Sequence, residues 1–167
     1  MAEGALAADA AALYDRDFFE WTQQQAQALR AAAQGNVGAL DWENLAEEIE
    51  SLGRSLRREL ASRLITIIEH LAKLEHARAS EPRPGWEATV SRERREIELL
   101  LEDSPSLRRQ VAALIAKETA RALRRVSEEL RGRKEIDEAT ASALISRPSH
   151  YSPDKVLGDW LPARPIS

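Results

Sequence analysis

Polar side chains in the middle of the chain follow one another at intervals that bring helical residues into contact. They are spaced four, three and four positions apart, and the set comprises Glu59, Arg63, Thr66 and His70. Residues three or four positions apart are neighbours on a helix surface. A histidine exchanges protons near neutral pH, and a nearby carboxylate can orient it or accept its proton. His70 and Glu59 are therefore candidate catalytic or ligand-binding groups.

This polar row, which Glu48 extends on the same side of the predicted helix, has two interpretations. The first is a hydrogen-bonded seam between helices, in which Glu59 pairs with Arg63. His70 is then satisfied by Thr66 or by another neighbour, because buried polar groups need partners. The second is a cleft in which His70 and Glu59 bind a ligand or transfer protons. The sequence leaves both interpretations open.

Glu118 stands in the middle of a predicted apolar helix face. That face comprises Leu107, Val111, Leu114, Ile115, Ala122 and Val126. A buried carboxylate is very costly unless it is paired. Arg125 follows on nearly the same line of the helix, and Arg63 or His70 could approach from the long helix. The sequence predicts a buried ion pair at Glu118 or, alternatively, a water-filled or ligand-binding pocket, which makes Glu118 a third candidate catalytic residue.

A line of basic residues runs down the outer side of the same helix and could bind a polyanion. It comprises Lys117, Arg121, Arg124 and Arg131. Arginine can bind phosphate in a bidentate manner. However, no aromatic residues lie between these cations to stack on bases, and the net charge of the chain is −4. Nucleic-acid binding is therefore an alternative that the sequence does not favour.

The histidines do not have the spacing of a metal site. Helical di-iron proteins use Glu-x-x-His pairs, and none of His70, His76 and His150 follows a glutamate at that interval. His76 is predicted on the outer face of its helix, and His150 lies in a proline-flanked loop. The chain has no cysteine, which excludes thiolate ligands and disulfides. The sequence therefore predicts no metal and no cofactor.

The polar row belongs to a segment whose large apolar residues recur about every 3.6 positions, the period of an α-helix with one buried face. They stand at positions 45, 49, 52, 56, 60, 64, 67, 71 and 74. Asp41 is expected to open this long helix, which must end before the proline-rich residues 81–85. Gly53 lies inside it, where glycine costs about 1 kcal/mol against alanine. A bend or a close helix contact is therefore predicted there.

Three other main helices are predicted from capping and breaking residues. The first runs from about Asp15 to Gln34, is capped by Asp15 or Asp17, and is expected to turn inward Phe18, Trp21, Gln25, Ala28, Leu29 and Ala32. The third runs from about Gly85 to Leu101. The fourth begins at Ser104-Pro105, with the serine as its cap, and runs to about Arg131. Shorter helices are predicted at Asp137–Ile145 and after Ser152-Pro153.

These elements predict an all-α fold, an antiparallel bundle of four main helices with a short C-terminal helical appendage. The 167 residues are expected to form one domain, 1–167, whose N-terminal residues 1–13 are loosely ordered. No apolar run approaches the ~20 residues of a membrane span. The alanine-rich N-terminus lacks the features of a signal peptide. A cytoplasmic location without membrane association is therefore expected.

Several motifs resemble those of domain-of-unknown-function family 29, a group of small helical bacterial proteins. They comprise residues 14–21 (YDRDFFEW), residues 41–53 (DWENLAEEIESLG), Trp86, residues 94–97 (RREI) and residues 104–107 (SPSL). The resemblance covers roughly Tyr14 to Pro162. It implies an almost wholly helical fold, and it carries no activity, cofactor or catalytic residue to this chain.

The interpretation that the sequence favours is a non-enzymatic protein-interaction module with a protein partner, which includes self-association through the long helix. The alternative is an enzyme or ligand-binding protein whose site is the polar row together with Glu118. A second alternative is weak nucleic-acid binding through the basic line.

Overall fold

All regular structure that the computed structural model describes is helical. The described residues are 12–35, 40–78, 82–147 and 150–163. They form α1 (Phe18–Ala33), α2 (Trp42–His76), α3 (Arg83–Asp103), a 3₁₀ turn (Pro105–Leu107), α4 (Arg108–Gly132), α5 (Glu138–Ile145) and α6 (Pro153–Leu157). The all-α class and the long helix are confirmed. The antiparallel bundle arrangement and the single domain 1–167 stay predictions.

The described residues group into two compact units. The first unit holds the residues up to Glu59 together with Leu99–Arg108. The second unit holds Leu60–Glu98 and the residues from Arg109 onwards. Residues 1–11 of the predicted loose N-terminal segment lie outside the described ranges, whereas residues 12–16 are helical.

In the first unit, α1 and α2 approach closely at Gly53. A Cβ atom at this position would collide with the Thr22 hydroxyl and would lie 2.7 Å from Nε2 of Gln23. Thr22 is fully buried, and its hydroxyl donates to the Phe19 carbonyl at 2.7 Å, which fixes the side chain in place. The close helix contact predicted at Gly53 is confirmed.

This contact also decides which side of α1 is buried. The buried residues of α1 are Thr22 and Ala26. Ala28 and Ala32, which were predicted to face inward, are exposed. That prediction was wrong because the face was drawn through the large residues Phe18, Trp21 and Leu29, whereas the helix turns Thr22 towards Gly53 of α2.

An ion pair joins the same two helices further along. Arg30 of α1 donates to Glu50 of α2 at 2.7 Å and to Glu43 at 3.2 Å. The hydrogen bond to Glu50 raises the pKa of Arg30, and the same bond lowers the pKa of Glu50. Both side chains are solvent-accessible, so the ion pair orients α1 on α2 but adds little to the free energy of unfolding.

The apolar stripe of α2 is buried in only one half of the helix. From Leu60 onward its large residues have almost no exposed surface, as seen for Leu64, Ile67, Leu71 and Leu74. Leu45 and Leu52, by contrast, are 42% and 45% exposed. The prediction that these two leucines face the core was wrong. Within the first unit α2 turns Ala46 and Gly53 inward instead, and on a helix each lies about 100° from the leucine before it.

The core of the second unit comes from α2, α3 and α4. Its fully buried side chains include Ile67, Ile68, Leu71, Val90, Ile97, Leu123, Val126 and Leu130. The apolar face predicted for the fourth helix is buried throughout, from Leu107 to Val126. Arg94 of α3 holds the C-terminal segment by donating to the carbonyls of Val156, Lys155 and Trp160, each at 2.9 Å.

The start of the fourth helix differs from its prediction. Ser104 precedes a 3₁₀ turn, and its hydroxyl makes no capping hydrogen bond to that turn. It accepts instead the backbone N–H of Phe19 at 3.2 Å. The Ser104 hydroxyl thus accepts a hydrogen bond from the beginning of α1 instead of capping α4. By contrast, the caps at Asp137 and Ser152 accept from Thr140 and Lys155 as the sequence patterns indicate.

None of the described helices combines the length and the apolar character needed to cross a membrane.

We predict that Gly53→Ala destabilises the protein by about 1–3 kcal/mol, because the new methyl group overlaps Thr22 and this overlap outweighs the gain in helix propensity of about 1 kcal/mol. Gly85→Ala is the matched control, since a Cβ there meets no atom within 4 Å. It should leave stability unchanged or raise it slightly. Urea unfolding of both variants measures the difference, and equal midpoints would contradict the close contact.

Candidate functional site

A pocket of about 320 Å³ opens on the first unit. Its wall is formed by Tyr14, Asp15, Phe18, Leu56, Leu100, Asp103 and Ser104. The pocket thus combines residues from the start of α1, from α2 and from the end of α3. Its volume is at the lower end of the range of about 300–1,000 Å³ that is typical of ligand pockets.

The carboxylate of Asp17 fixes the walls of this pocket. Its Oδ1 accepts the backbone N–H of Glu20 at 3.0 Å, which makes Asp17 the N-cap of α1. The backbone N–H of Ser106 donates to Oδ2 at 2.6 Å, and the Ser106 hydroxyl donates to Oδ1 at 2.8 Å. One side chain therefore ties the beginning of α1 to the 3₁₀ turn. Of the two caps predicted, Asp15 and Asp17, the structure uses Asp17.

Aromatic rings flank Asp17 on both sides. Tyr14 meets Phe18 edge-on at 5.3 Å and Trp21 edge-on at 4.9 Å between ring centroids. Phe18 stacks on Trp21 at 5.6 Å. Edge-on and stacked pairs of this kind stabilise each other beyond their burial. Tyr14 remains 51% exposed, so its ring is accessible at the pocket.

The polar row of α2 is divided between the two units. Glu48 and Glu59 belong to the first unit, and both are exposed. They do not line the pocket. The other three members, Arg63, Thr66 and His70, belong to the second unit and are partly buried.

Within the second unit these three residues have structural partners. Arg63 pairs with Glu93 at 3.0 Å and with Glu96 at 3.3 Å. The Thr66 hydroxyl donates to the Ser62 carbonyl, and Nδ1 of His70 bonds the Thr66 carbonyl at 2.8 Å. His70 is thus held by its own helix, through backbone rather than through the threonine hydroxyl.

Glu118 is less enclosed than its sequence position indicates. Its side chain is 15% exposed and lies 3.9 Å from the ammonium group of Lys117. Arg125, the partner considered on the same helix, instead donates to Glu69 of α2 at 2.7 Å. Arg125, considered as a partner of Glu118, therefore pairs with Glu69, and the spacing of residues along one helix does not indicate a contact between two helices.

The basic line lies on the exposed side of α4. Lys117, Arg121, Arg124 and Arg131 are all exposed. Arg131 pairs with Glu138 of α5 at 3.1 Å, and Lys117 is the cation beside Glu118. Part of the positive charge that was considered for a polyanion is thus neutralised by neighbours.

A cluster that the sequence did not indicate joins α2 to the C-terminal segment in the second unit. Oε1 of Glu75 lies 3.1 Å from Nε2 of His150, and Oε2 accepts the Tyr151 hydroxyl at 3.0 Å. Nζ of Lys155 lies 3.2 Å from Nδ1 of His150 and 4.8 Å above the Trp160 ring. The carboxylate, the imidazole and the amine thus form one continuous row of polar contacts. Among the described residues, no group of three or more histidine, cysteine, aspartate or glutamate side chains could hold a metal ion.

Burial shifts the pKa of Tyr151 and that of the neighbouring His76. Desolvation, followed by the charge of Glu75, raises the pKa of the Tyr151 hydroxyl above its usual range. Desolvation lowers the pKa of His76, although the neighbouring Glu75 carboxylate acts in the opposite direction. His76, predicted on the solvated face, is only partly exposed, with 26% of its side chain accessible. The one available signal was the adjacent pair Glu75-His76, which spacing alone could not connect to the distant His150.

The chain belongs to the family described as domain of unknown function DUF29, which matches residues 13–160. A solved structure that it resembles is an α-helical protein of unknown function from Rhodospirillum rubrum. The two chains are 26% identical, the alignment covers 87% of this chain and 89% of the other, and the TM-score is 0.69. Among curated proteins, none gives a significant match. The comparisons therefore fix the family and the helical fold, and they bring no activity.

We predict that Asp17→Ala destabilises the protein by about 2–4 kcal/mol, because it removes the cap of α1 and leaves the Ser106 N–H without its acceptor. Asp41→Ala is the matched control. Asp41 accepts from the backbone and side chain of Asn44 at the exposed start of α2, and losing such a cap costs about 1 kcal/mol. Urea unfolding compares the two, and an Asp17 variant no less stable than the Asp41 variant would contradict the role of this carboxylate.

We predict that stability falls on acidification below pH 6.5, in part because of His76. Its pKa is lower in the folded chain than in the unfolded chain, so the unfolded state takes up the proton first and stability rises with pH in this window. Glu75, His150 and Arg147 are the charged neighbours of His76. His76→Gln should flatten the slope below about pH 6.5, by at most about 1.4 kcal/mol per pH unit. An unchanged slope in urea titrations would contradict the assignment.

Proposed function

We propose that this member of the family is a protein-interaction module without catalytic activity, and that it binds its partner through the first unit. The uneven distribution of exposed apolar side chains carries the proposal. Seven large hydrophobic residues are exposed in the part of the chain that the structure describes. Five of them belong to the first unit, namely Tyr14, Leu40, Leu45, Leu52 and Leu99.

The leucines of α2 lie on one side of the helix. Leu45 and Leu52 are seven positions apart, which returns a helix to nearly the same angle. Ile49 and Leu56, which fall between and after them, are half-buried. Exposed apolar side chains that repeat along one side of a helix favour an interaction site, because larger apolar patches on soluble proteins mark such sites. A second copy of the chain is one partner that this stripe would suit, because a two-fold interface pairs the same surface with itself.

The alternative of an enzyme or ligand-binding site has less support. It requires Glu59, Arg63, His70 and Glu118 to act together. Arg63 is engaged by two carboxylates of α3, and the ring of His70 is bonded to backbone. Side chains that are engaged in ion pairs or in hydrogen bonds to backbone have a structural role. The apolar surface of the first unit is therefore the stronger basis for a function.

We predict that a photo-reactive amino acid at Leu99 forms a specific crosslink to a protein partner in the cells that make this protein. The same amino acid at Ala112, an exposed position of α4 in the second unit, is the control. The crosslinked species is identified by mass spectrometry, and a second copy would give twice the mass of the chain.

The variant Leu45→Gln with Leu52→Gln should reduce the Leu99 crosslink about tenfold or more, while stability changes by no more than about 0.5 kcal/mol because both residues are exposed. Glutamine retains good helix propensity, so α2 is preserved. Crosslinking at Leu99 that does not exceed the Ala112 control, or that the double variant leaves unchanged, would contradict the proposal.

A further inference from the structure

Two carboxylates at the pocket of the first unit have no partner among the residues that the structure describes. Asp15 and Asp103 are exposed, and no ion pair or side-chain hydrogen bond engages either of them within the described ranges. Other acidic residues of the same unit are paired, since Glu43 and Glu50 both contact Arg30 and Glu50 also lies 3.7 Å from Arg54. The pocket therefore presents uncompensated negative charge to any molecule that enters it.

The first unit as a whole also carries a negative net charge. The sequence ranges of the first unit contain 13 acidic and 6 basic residues, a net charge of −7. Those of the second unit contain 15 acidic and 18 basic residues, a net charge of +3, and the two values add to the −4 of the chain. A field of one sign over a surface accelerates encounter with groups of the opposite charge. The first unit therefore favours cationic partners.

The remainder of the pocket wall is apolar and aromatic. Phe18, Leu56 and Leu100 form this part, and the accessible ring of Tyr14 completes it. Lysine and arginine carry aliphatic stems that pack on apolar surface while the charged end reaches a polar group. A cation beside an aromatic face gains a further attraction. The wall thus matches both parts of such a side chain.

The rim of the pocket continues as exposed apolar surface. Leu52 precedes Leu56 by one helical turn, and Leu99 is adjacent to Leu100. Both rim leucines are more than 40% exposed, at 45% and 44%. A free amine or guanidine would leave this surface uncovered, whereas a polypeptide with apolar residues beside its cation would cover it.

We infer that the pocket formed by Tyr14, Asp15, Phe18, Leu56, Leu100, Asp103 and Ser104 receives a lysine or arginine side chain of a partner protein, flanked in the partner by apolar residues that cover Leu52 and Leu99. This inference rests on the proposed function and adds the chemistry of the partner to it. Asp15 and Asp103 bind the cation, and the apolar wall binds its stem.

The test uses the full chain and two fluorescent peptides. In the first peptide one arginine stands between two leucines, each three positions away, and in the second the arginine is replaced by the neutral isostere citrulline. Fluorescence anisotropy gives the Kd of each. The arginine peptide should bind about tenfold more tightly, as expected for a cation between two accessible carboxylates, and the difference should shrink with added salt.

The variant Asp15→Asn with Asp103→Asn should weaken the arginine peptide about tenfold and leave the citrulline peptide unchanged. Both aspartates are exposed, so the variant should fold. Glu98→Gln with Glu128→Gln is the matched control, because it removes the same charge from exposed helical positions of the second unit. It should leave the preference for arginine intact.

Equal affinity for both peptides, or an aspartate variant that binds as well as the control variant, would overturn the inference. So would binding of arginine methyl ester as tight as that of the peptide, or no peptide binding at all. A failure of the proposed function would give different results. In that case Leu45→Gln with Leu52→Gln would weaken neither peptide, and Leu99 would form no crosslink above the Ala112 control.

Discussion

The geometry of the first unit depends on the carboxylate of Asp17. It caps α1 and at the same time accepts two hydrogen bonds from Ser106, so residues 89 positions apart in sequence are held at fixed distances. Ser104 reinforces the junction by accepting the Phe19 N–H. A charged acceptor with several donors is among the stronger hydrogen-bonded arrangements. Because Asp15, Phe18 and Asp103 lie within two positions of these residues, the junction positions a large part of the pocket wall.

The packing of α2 explains why the same unit exposes apolar surface. At Gly53 the helix approaches α1 so closely that even a methyl group does not fit, and this orientation is set by small residues. The large leucines on the adjacent side of α2 are then turned away from α1. Beyond Leu60 the stripe meets the core of the second unit and disappears from solvent. The same periodic row of apolar residues is therefore buried in the second half of α2 and partly exposed in the first half.

The helices themselves could be predicted from the sequence, because period, caps and breakers are local. The boundaries of α5 and α6 follow from Asp137 and from Ser152-Pro153, and Gly53 was a correct indication of close approach. The site could not be predicted in the same way. It depends on contacts between residues that are far apart in the sequence, and no local pattern connects such residues. These contacts are Ser104 with Phe19, Asp17 with Ser106, and Glu75 with His150. Burial along α2 was misjudged at Leu45 and Leu52 because the period identifies an apolar face without showing how much of it is covered.

We propose that this protein binds its partner through the surface of the first unit. Hydrogen–deuterium exchange of the protein alone and with the partner recovered by crosslinking measures this most directly, since amides at a covered surface exchange more slowly. We expect added protection at residues 12–18, 45–56 and 99–104. Protection confined to α4 or to the C-terminal segment, with none at these three ranges, would contradict it.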